Sequence, residues 1–349
     1  MPASENQQPG TAGFDQPRSE AAGSSGSPAG SPGSPAGSRS GLSAGRLLKL
    51  GGVLIAVLAV ALCAVTLIRE WSSIRHSIAT ANPGLLLVSL LCAGAAMSGL
   101  GLLWWRCLHV FGAPARLQDA VAWYFGGELG KYVPGGVWPV LGRGELASRA
   151  GIARGTGYLT TLISYAAMCV AAAFVCGLLA PFVALDGDGL SWGWLMLPFI
   201  PIGIGALHPA VLGKVLALGA KLTRGRVAIQ ARSWSTMMGL TAWSVATWLL
   251  VGATSVGVTA ALGYSEQPAR VAFAAVAAWI IGFLAIPVPA GAGLRELIFV
   301  AISGLDTGPA VAVAAIARLL FIVVDAAGGV IGLWLARRSA ATPMVQPVL

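Results

Sequence analysis

The sequence has 349 residues, of which 56% are hydrophobic and only 10% are charged. Soluble domains carry about 25% charged residues, so the composition excludes a soluble globular domain. The 22 basic residues outnumber the 13 acidic ones, but no basic cluster interleaved with aromatic residues lies outside the loops that flank the apolar runs. We therefore expect no nucleic acid partner, and we attribute the excess of Lys and Arg to membrane topology.

The N-terminal segment, residues 1–44, is rich in Gly, Ser, Pro and Ala and includes the repetitive stretch SPAGSPGSPAGS. Such a composition buries too little apolar surface to fold, so we expect a disordered, solvated tail. The run from Leu50 to Ile68 then holds 19 uncharged residues. Because this run is longer than the apolar region of a usual signal peptide, it predicts a retained first membrane span.

Further uncharged runs predict the remaining spans, since each is long enough to cross a bilayer as a helix at about 1.5 Å per residue. These runs are Pro83–Trp105, Gly155–Leu185, Gly189–Leu207, Ser233–Ser265, Val271–Leu294 and a last segment from about Pro309 to Ala336. The sequence thus predicts an all-α, polytopic helical bundle of about seven spans. Its membrane domain should cover residues 45–338, followed by a short cytoplasmic tail at residues 339–349.

The distribution of basic residues predicts the orientation of the chain. If the N-terminus is cytoplasmic, the connecting segments that hold most of the Lys and Arg are also cytoplasmic, and the outside keeps Arg69, Arg75, Arg270 and Arg295. This asymmetry is typical of multi-pass proteins of a bacterial inner membrane with both termini in the cytoplasm. Residues 209–232 mix basic and apolar residues, which indicates either an amphipathic helix on the anionic leaflet or a solvated loop.

Two apolar segments are interrupted by Gly and Pro. Residues 122–152 are too apolar for an ordinary loop and too broken for a continuous helix. Residues 285–304 have the same character. Non-helical backbone at membrane depth is tolerated only where protein or a water-filled cavity covers it. The first segment therefore predicts a re-entrant helix pair reached from the cytoplasm. The second predicts that residues 271–305 form a re-entrant pair reached from outside, and two short full crossings are the alternative.

The two broken segments share an order of residues, with a Pro and Gly break followed by Arg and Glu. The members are Pro134, Gly135, Gly136, Arg143 and Glu145 in the first segment, and Pro289, Gly291, Gly293, Arg295 and Glu296 in the second. Opposite access combined with this likeness is typical of inverted-topology repeats of transporters; chance or shared loop chemistry is the alternative. A half-helix that starts after such a break directs free N–H groups toward an anion such as a lipid phosphate.

The candidate substrate-binding residues follow from these breaks and from the charged residues of the last span. They are Glu128, Lys131, Tyr132, Pro134, Gly135, Gly136, Arg143, Glu145, Pro289, Gly291, Gly293, Arg295, Glu296, Arg318 and Asp325. For each Arg and Glu of the breaks the alternative is mutual pairing or contact with the membrane interface. For Arg318 and Asp325, which are seven residues apart on one helix, a structural pair and a role in substrate or proton handling are both open.

The stretches GELGKYVPGGVWPVLGR and IPVPAGAGLRE resemble the paired motifs of the lysylphosphatidylglycerol synthase transmembrane family. The resemblance covers roughly residues 45–338 and implies a flippase-type membrane region that moves aminoacylated or other anionic lipids between leaflets. Few residues follow Ala336, so the synthetase domain of fused family members, and with it aminoacyl transfer, is not expected. Ala290 and Ala292 stand where the family is often richer in glycine.

The leading hypothesis is therefore translocation of a membrane lipid or lipid-linked envelope intermediate with an anionic head group. A non-transporting partner of a cell-envelope lipid or glycosyl synthase is the second hypothesis, and its protein partner would be that synthase or a second copy of the chain. An enzyme is the weakest, because the three histidines are dispersed and the sequence has no HExxH, GxSxG or acidic metal-binding cluster. We expect no catalytic residue, metal or cofactor.

Overall fold

A computed structural model describes residues 75, 79–132, 136–184, 198–222, 232–285 and 291–340. The described residues form helices and no β-strand, so the predicted all-α class is confirmed. The predicted tail and first span, residues 189–197 of the predicted fourth span, and Pro134, Gly135 and Pro289 lie outside the described residues. The helices are α1 (Pro83–Val110), α2 (Leu117–Glu128), a 3-10 helix (Leu129–Tyr132), α3 (Trp138–Arg149), α4 (Arg154–Ala184), α5 (Phe199–Ala206), α6 (Pro209–Leu222), α7 (Trp234–Ala261), α8 (Pro268–Leu284), α9 (Leu294–Ile302) and α10 (Thr307–Ala340).

Four of these helices, α1, α4, α7 and α10, are long and apolar enough to cross a membrane. They coincide with four of the predicted spans. The sixth apolar run is not one helix, because α8 ends at Leu284 and α9 begins only at Leu294. Prolines in the sequence between them cannot continue a helix. Residues 209–222 do form a helix, α6, with Leu212 and Leu216 buried and Lys214 and Lys221 exposed, as the amphipathic alternative predicted.

Close contacts through small residues hold the long helices together. At one end of the bundle the Asn82 N–H donates to the Ala261 carbonyl at 2.8 Å, which joins the start of α1 to the end of α7. Further along, a Cβ built on Gly257 would lie 2.3 Å from Ser89 Oγ. Small residues at such positions let helix backbones approach, which is how helices associate in lipid. At the other end of α1, the Arg106 guanidinium lies 3.9 Å from the centre of the Trp243 ring of α7.

The first broken segment forms an antiparallel hairpin. We call it hairpin 1, and it consists of α2, the 3-10 helix and α3. Gly127 packs against Gly142, where a Cβ would lie 3.0 Å from the Gly127 Cα, and Gly130 packs against Trp138 nearer the tip. The prediction of two short helices here is confirmed. Each helix has 12 residues, or about 18 Å at 1.5 Å per residue, which is too short for a hydrocarbon core of about 30 Å.

The second broken segment forms hairpin 2 from α8 and α9. Arg270 Nε donates to the Ile302 carbonyl at 3.2 Å, so the start of α8 lies beside the end of α9. Toward the tip, a Cβ built on Gly282 would lie 2.3 Å from Arg295 Cγ. With 9 residues, α9 is about 14 Å long and cannot cross a bilayer, which favours the re-entrant prediction over two full crossings.

The two hairpins enter the bundle from opposite ends. Hairpin 1 follows α1 at the end marked by the Arg106 contact with α7. Hairpin 2 follows α7 at the end marked by the Asn82 hydrogen bond to Ala261. The last helix, α10, begins beside hairpin 2 and reaches hairpin 1, where a Cβ on Gly332 would lie 2.5 Å from the Ala122 carbonyl oxygen. This arrangement agrees with the predicted inverted topology.

Candidate functional site

A cavity of about 280 Å³ is lined by described residues of both hairpins, together with residues of α1 and α4. Hairpin 1 contributes charged residues to its wall, and α4 and hairpin 2 contribute mainly aromatic and aliphatic ones. The lining residues used below are Tyr124, Glu128, Lys131, Gly136, Val137, Arg143, Leu162, Tyr165, Trp279, Gly282, Phe283, Leu284, Gly291 and Arg295. The cavity therefore combines both broken segments in one site, which is the arrangement that inverted repeats produce.

Arg143 of α3 is 1% exposed and is held on three sides. Its guanidinium forms an ion pair with Glu128 and lies 4.0 Å from the ring centre of Tyr124 and 5.3 Å from that of Tyr165. The approach needs a residue without a side chain on α2, since a Cβ on Gly127 would lie 2.6 Å from Arg143 Cγ. A buried ion pair of this kind is stable only while both charges are present.

A second set of contacts ties hairpin 1 to the last helix. Lys131 Nζ lies 3.1 Å from Glu128 Oε1 and 2.7 Å from Asp325 Oδ2. The Tyr132 hydroxyl also donates to Asp325 Oδ2, at 2.7 Å. Together with Arg143 these residues comprise two cations and two carboxylates, so the formal charge of the cluster is zero. Asp325, which is fully buried, is therefore compensated by hairpin 1.

Arg295 of α9 occupies the opposite part of the wall. Its guanidinium lies 4.2 Å from the ring centre of Trp279, and its Nε is buried without a hydrogen-bond partner. Within the described part of the chain it forms no ion pair. The next residue, Glu296, instead pairs with Arg318 of α10, and this pair and Arg295 line a smaller cavity of about 60 Å³. Gly293, with φ of 81°, is the N-cap of α9 and supplies no side-chain cap.

The structure brings most of the predicted site residues together. Six line the large cavity: Glu128, Lys131, Gly136, Arg143, Gly291 and Arg295. Tyr132 and Asp325 join them through Lys131, whereas Glu296 and Arg318 line the smaller cavity. The structure does not bring Glu145 to the site, because its carboxylate pairs with Arg154 at 2.9 Å on the exposed side of α3.

Two pairings that the sequence left open as alternatives are not formed. Arg318 and Asp325 do not pair with each other, since each contacts a different hairpin, through Glu296 and through Lys131. The Arg and Glu of one break do not pair with each other either, since Arg143 pairs with Glu128 and Glu296 with Arg318. Seven residues correspond to about 10 Å along a helix, which keeps the two side chains of α10 apart and leaves each to a neighbouring element.

Sequence reasoning missed the aromatic wall of the cavity. The Tyr165 ring lies 5.0 Å from that of Phe283, which is stacked 6.2 Å from Trp279. Together with the ring of Tyr124, these rings line the wall between the two arginines. A signal was present, because an aromatic residue stands three positions before a glycine ahead of each break, as Tyr124 before Gly127 and as Trp279 before Gly282.

Long apolar helices around two opposed helix hairpins define a polytopic, all-α membrane protein with a cavity lined by charged and aromatic residues. The lysylphosphatidylglycerol synthase TM region family matches residues 50–329, and the chain belongs to that family. The match covers both hairpins and α10 as far as Gly329, and it confirms the resemblance drawn from the two motifs. No curated protein matches the chain.

Proposed function

We propose that the protein moves a lipid or lipid-linked envelope intermediate with an anionic head group between the leaflets of the bacterial inner membrane. The observation that carries this proposal is the cavity itself, which is lined by residues of two hairpins that enter from opposite ends. A head group held there can be reached from either side by a small movement of one hairpin against the other. Membership of the family supports a membrane role of this kind.

Exposed apolar residues at the edge of the cavity are suited to contact with a lipid. Leu162 and Leu284 line the cavity, yet they are 52% and 61% exposed. In a bilayer such apolar surface faces acyl chains, so a lipid can insert its head group while its tails stay outside. The charged wall lowers the cost of moving a polar head group through the hydrocarbon core, where each uncompensated polar group costs several kcal/mol.

Ion pairs between the hairpins and α10 offer a basis for alternating access. Lys131 of hairpin 1 contacts Asp325, and Glu296 of hairpin 2 contacts Arg318, on the same helix. Movement of either hairpin must therefore act on α10. With hairpin 1 on the cytoplasmic side, as the distribution of Lys and Arg predicts, a lipid would enter from the inner leaflet past hairpin 1 and leave past hairpin 2.

We propose that the protein moves its substrate without changing it chemically. Glu128, the carboxylate that lines the large cavity, is engaged by both Lys131 and Arg143. A general base must be able to accept a proton from substrate, and this carboxylate is fully engaged with cations.

The experiment is leaflet exchange in proteoliposomes, with acyl-labelled fluorescent lipids of several head groups and dithionite quenching of the outer leaflet. Leu162→Trp should slow exchange by filling the cavity margin. Leu178→Trp is the matched control, because Leu178 is 50% exposed on the same helix and does not line the cavity. If wild-type protein exchanges no lipid faster than protein-free vesicles, the proposal fails.

A further inference from the structure

We propose that the cavity binds one monoanionic phosphodiester, the head group of a membrane lipid, at Arg295, and that Arg143 is a structural cation rather than a second ligand. This inference rests on the proposed function, since it requires that lipids reach the cavity. It separates two arginines that occupy equivalent places in the two hairpins.

The equivalence appears in both contacts and spacing. In hairpin 1, Arg143 lies 4.0 Å from the Tyr124 ring and packs onto Gly127, three residues further along the same helix. In hairpin 2, Arg295 lies 4.2 Å from the Trp279 ring and packs onto Gly282, again three residues further along. Each hairpin therefore places an arginine over an aromatic ring of its first helix, against a glycine one turn away.

A difference between the two hairpins at one equivalent position gives the two arginines different electrostatic surroundings. The residue after the glycine is Glu128 in hairpin 1 and Phe283 in hairpin 2. Arg143 is thus neutralised by its own hairpin, whereas the equivalent position beside Arg295 is an aromatic ring.

The charge balance of the cavity then follows. The group of Glu128, Lys131, Arg143 and Asp325 is neutral, and so is the pair of Glu296 and Arg318. Arg295 remains as the cation without a carboxylate among the described residues around the cavities. Residues 133–135 and 286–290, which the structure does not describe, carry no ionisable side chain in the sequence.

An uncompensated cation in a membrane bundle marks a site for a counter-charge. The buried Nε atoms of Arg143 and Arg295 both lack a hydrogen-bond partner, but only Arg143 is paired with a carboxylate, so Arg295 is the arginine left to meet an anion. The N-terminus of α9 begins one residue before it and is capped by Gly293 without a side-chain acceptor. Free N–H groups at a helix start, together with a guanidinium, form an anion site.

The single positive charge of Arg295 favours an anion that carries a single negative charge. A phosphodiester carries a single negative charge, whereas a phosphomonoester carries about 1.5 to 2 near neutral pH. A zwitterionic head group would bring its own cation into a wall that is already positive. A lipid is favoured over a soluble phosphodiester, because the exposed apolar residues Leu162, Leu284 and Val137 stand at the cavity.

The test is equilibrium binding to the purified full-length chain in detergent, measured by microscale thermophoresis. The probes are dioctanoyl phosphatidylglycerol, dioctanoyl phosphatidic acid, dioctanoyl phosphatidylcholine and the water-soluble head group glycerophosphoglycerol. We expect phosphatidylglycerol to bind at least about tenfold more tightly than the other three. Arg295→Gln should weaken its binding by about 10- to 100-fold, as expected for loss of a charged hydrogen-bonding partner, and Arg295→Lys should recover part of the affinity. Arg154→Gln, which removes an exposed arginine, should change nothing.

Equal binding by wild type and Arg295→Gln would overturn the inference. So would wild-type protein that prefers phosphatidic acid, binds phosphatidylcholine equally well, or binds glycerophosphoglycerol as tightly as the lipid; these results need no variant and do not depend on how Arg295→Gln folds. Selective binding without leaflet exchange would support the inference and contradict the proposed function. Leaflet exchange by a protein that binds all four probes equally well would support the proposed function and contradict the inference.

Discussion

Loss of charge at the two cavity arginines should affect stability very differently. Arg143 is 1% exposed and paired with Glu128. Removing one partner of a buried ion pair costs about 3–5 kcal/mol. Because Lys131 still lies 3.1 Å from Glu128, we expect Arg143→Gln to fall at the lower end, about 3 kcal/mol. Arg295→Gln should stay within about 1 kcal/mol of wild type, since the lost contact with the Trp279 ring is offset by removal of an unpaired cation.

The assay is thermal unfolding of the purified protein in lipid-free detergent. A change of 1 kcal/mol shifts Tm by about 2–4 °C in domains of 150–250 residues and by less in longer chains. Arg143→Gln should therefore lower Tm by about 5 °C, and Arg295→Gln by less than about 2 °C. The double variant Glu128→Gln/Arg143→Gln should recover much of the loss, because it leaves no unpaired carboxylate. Equal losses for the two single variants would refute the distinction between a paired and an unpaired arginine.

Three further predictions test the fold and the charged cluster. Gly127→Ala should destabilise the protein by about 1–3 kcal/mol, because the new Cβ would lie 2.6 Å from the Arg143 side chain. The control is Gly94→Ala, whose Cβ has nothing within 4 Å, and it should leave Tm unchanged or raise it slightly. Asp325→Asn should lower Tm, because it removes the carboxylate that holds hairpin 1 to α10; an unchanged Tm would contradict that role. Single cysteines at the exposed residues Arg116 and Asp306, in a background without native cysteine, should react with a membrane-impermeant thiol reagent from opposite faces of the vesicle, and labelling from one face would rule out the opposed hairpins.

The helices and hairpins could be predicted because they depend on local composition. Long uncharged runs gave α1, α4, α7 and α10, since lipid requires every backbone group to bond within its own segment. Glycine and proline marked the two breaks, because neither residue continues a helix without cost. Local rules of this kind do not depend on what the rest of the chain does.

The partners of the charged side chains could not be predicted in the same way. Arg143 pairs with Glu128, which is fifteen residues away across the hairpin, and not with Glu145, two residues along its own helix. Residues two apart on a helix point in different directions, while antiparallel packing through Gly127 and Gly142 brings distant ones together. Asp325 and Arg318 likewise depend on which hairpin packs against each turn of α10. These choices are set by tertiary register.

Lipid movement and the role of Arg295 can be measured together, as leaflet exchange of fluorescent phosphatidylglycerol and phosphatidylcholine by the wild-type chain and by Arg295→Gln, in vesicles of the same composition and protein content. We expect wild-type protein to exchange phosphatidylglycerol faster than protein-free vesicles do and faster than it exchanges phosphatidylcholine, and we expect Arg295→Gln to lose most of that acceleration. Exchange of both lipids at the protein-free rate in the presence of wild-type protein would contradict the proposed lipid movement.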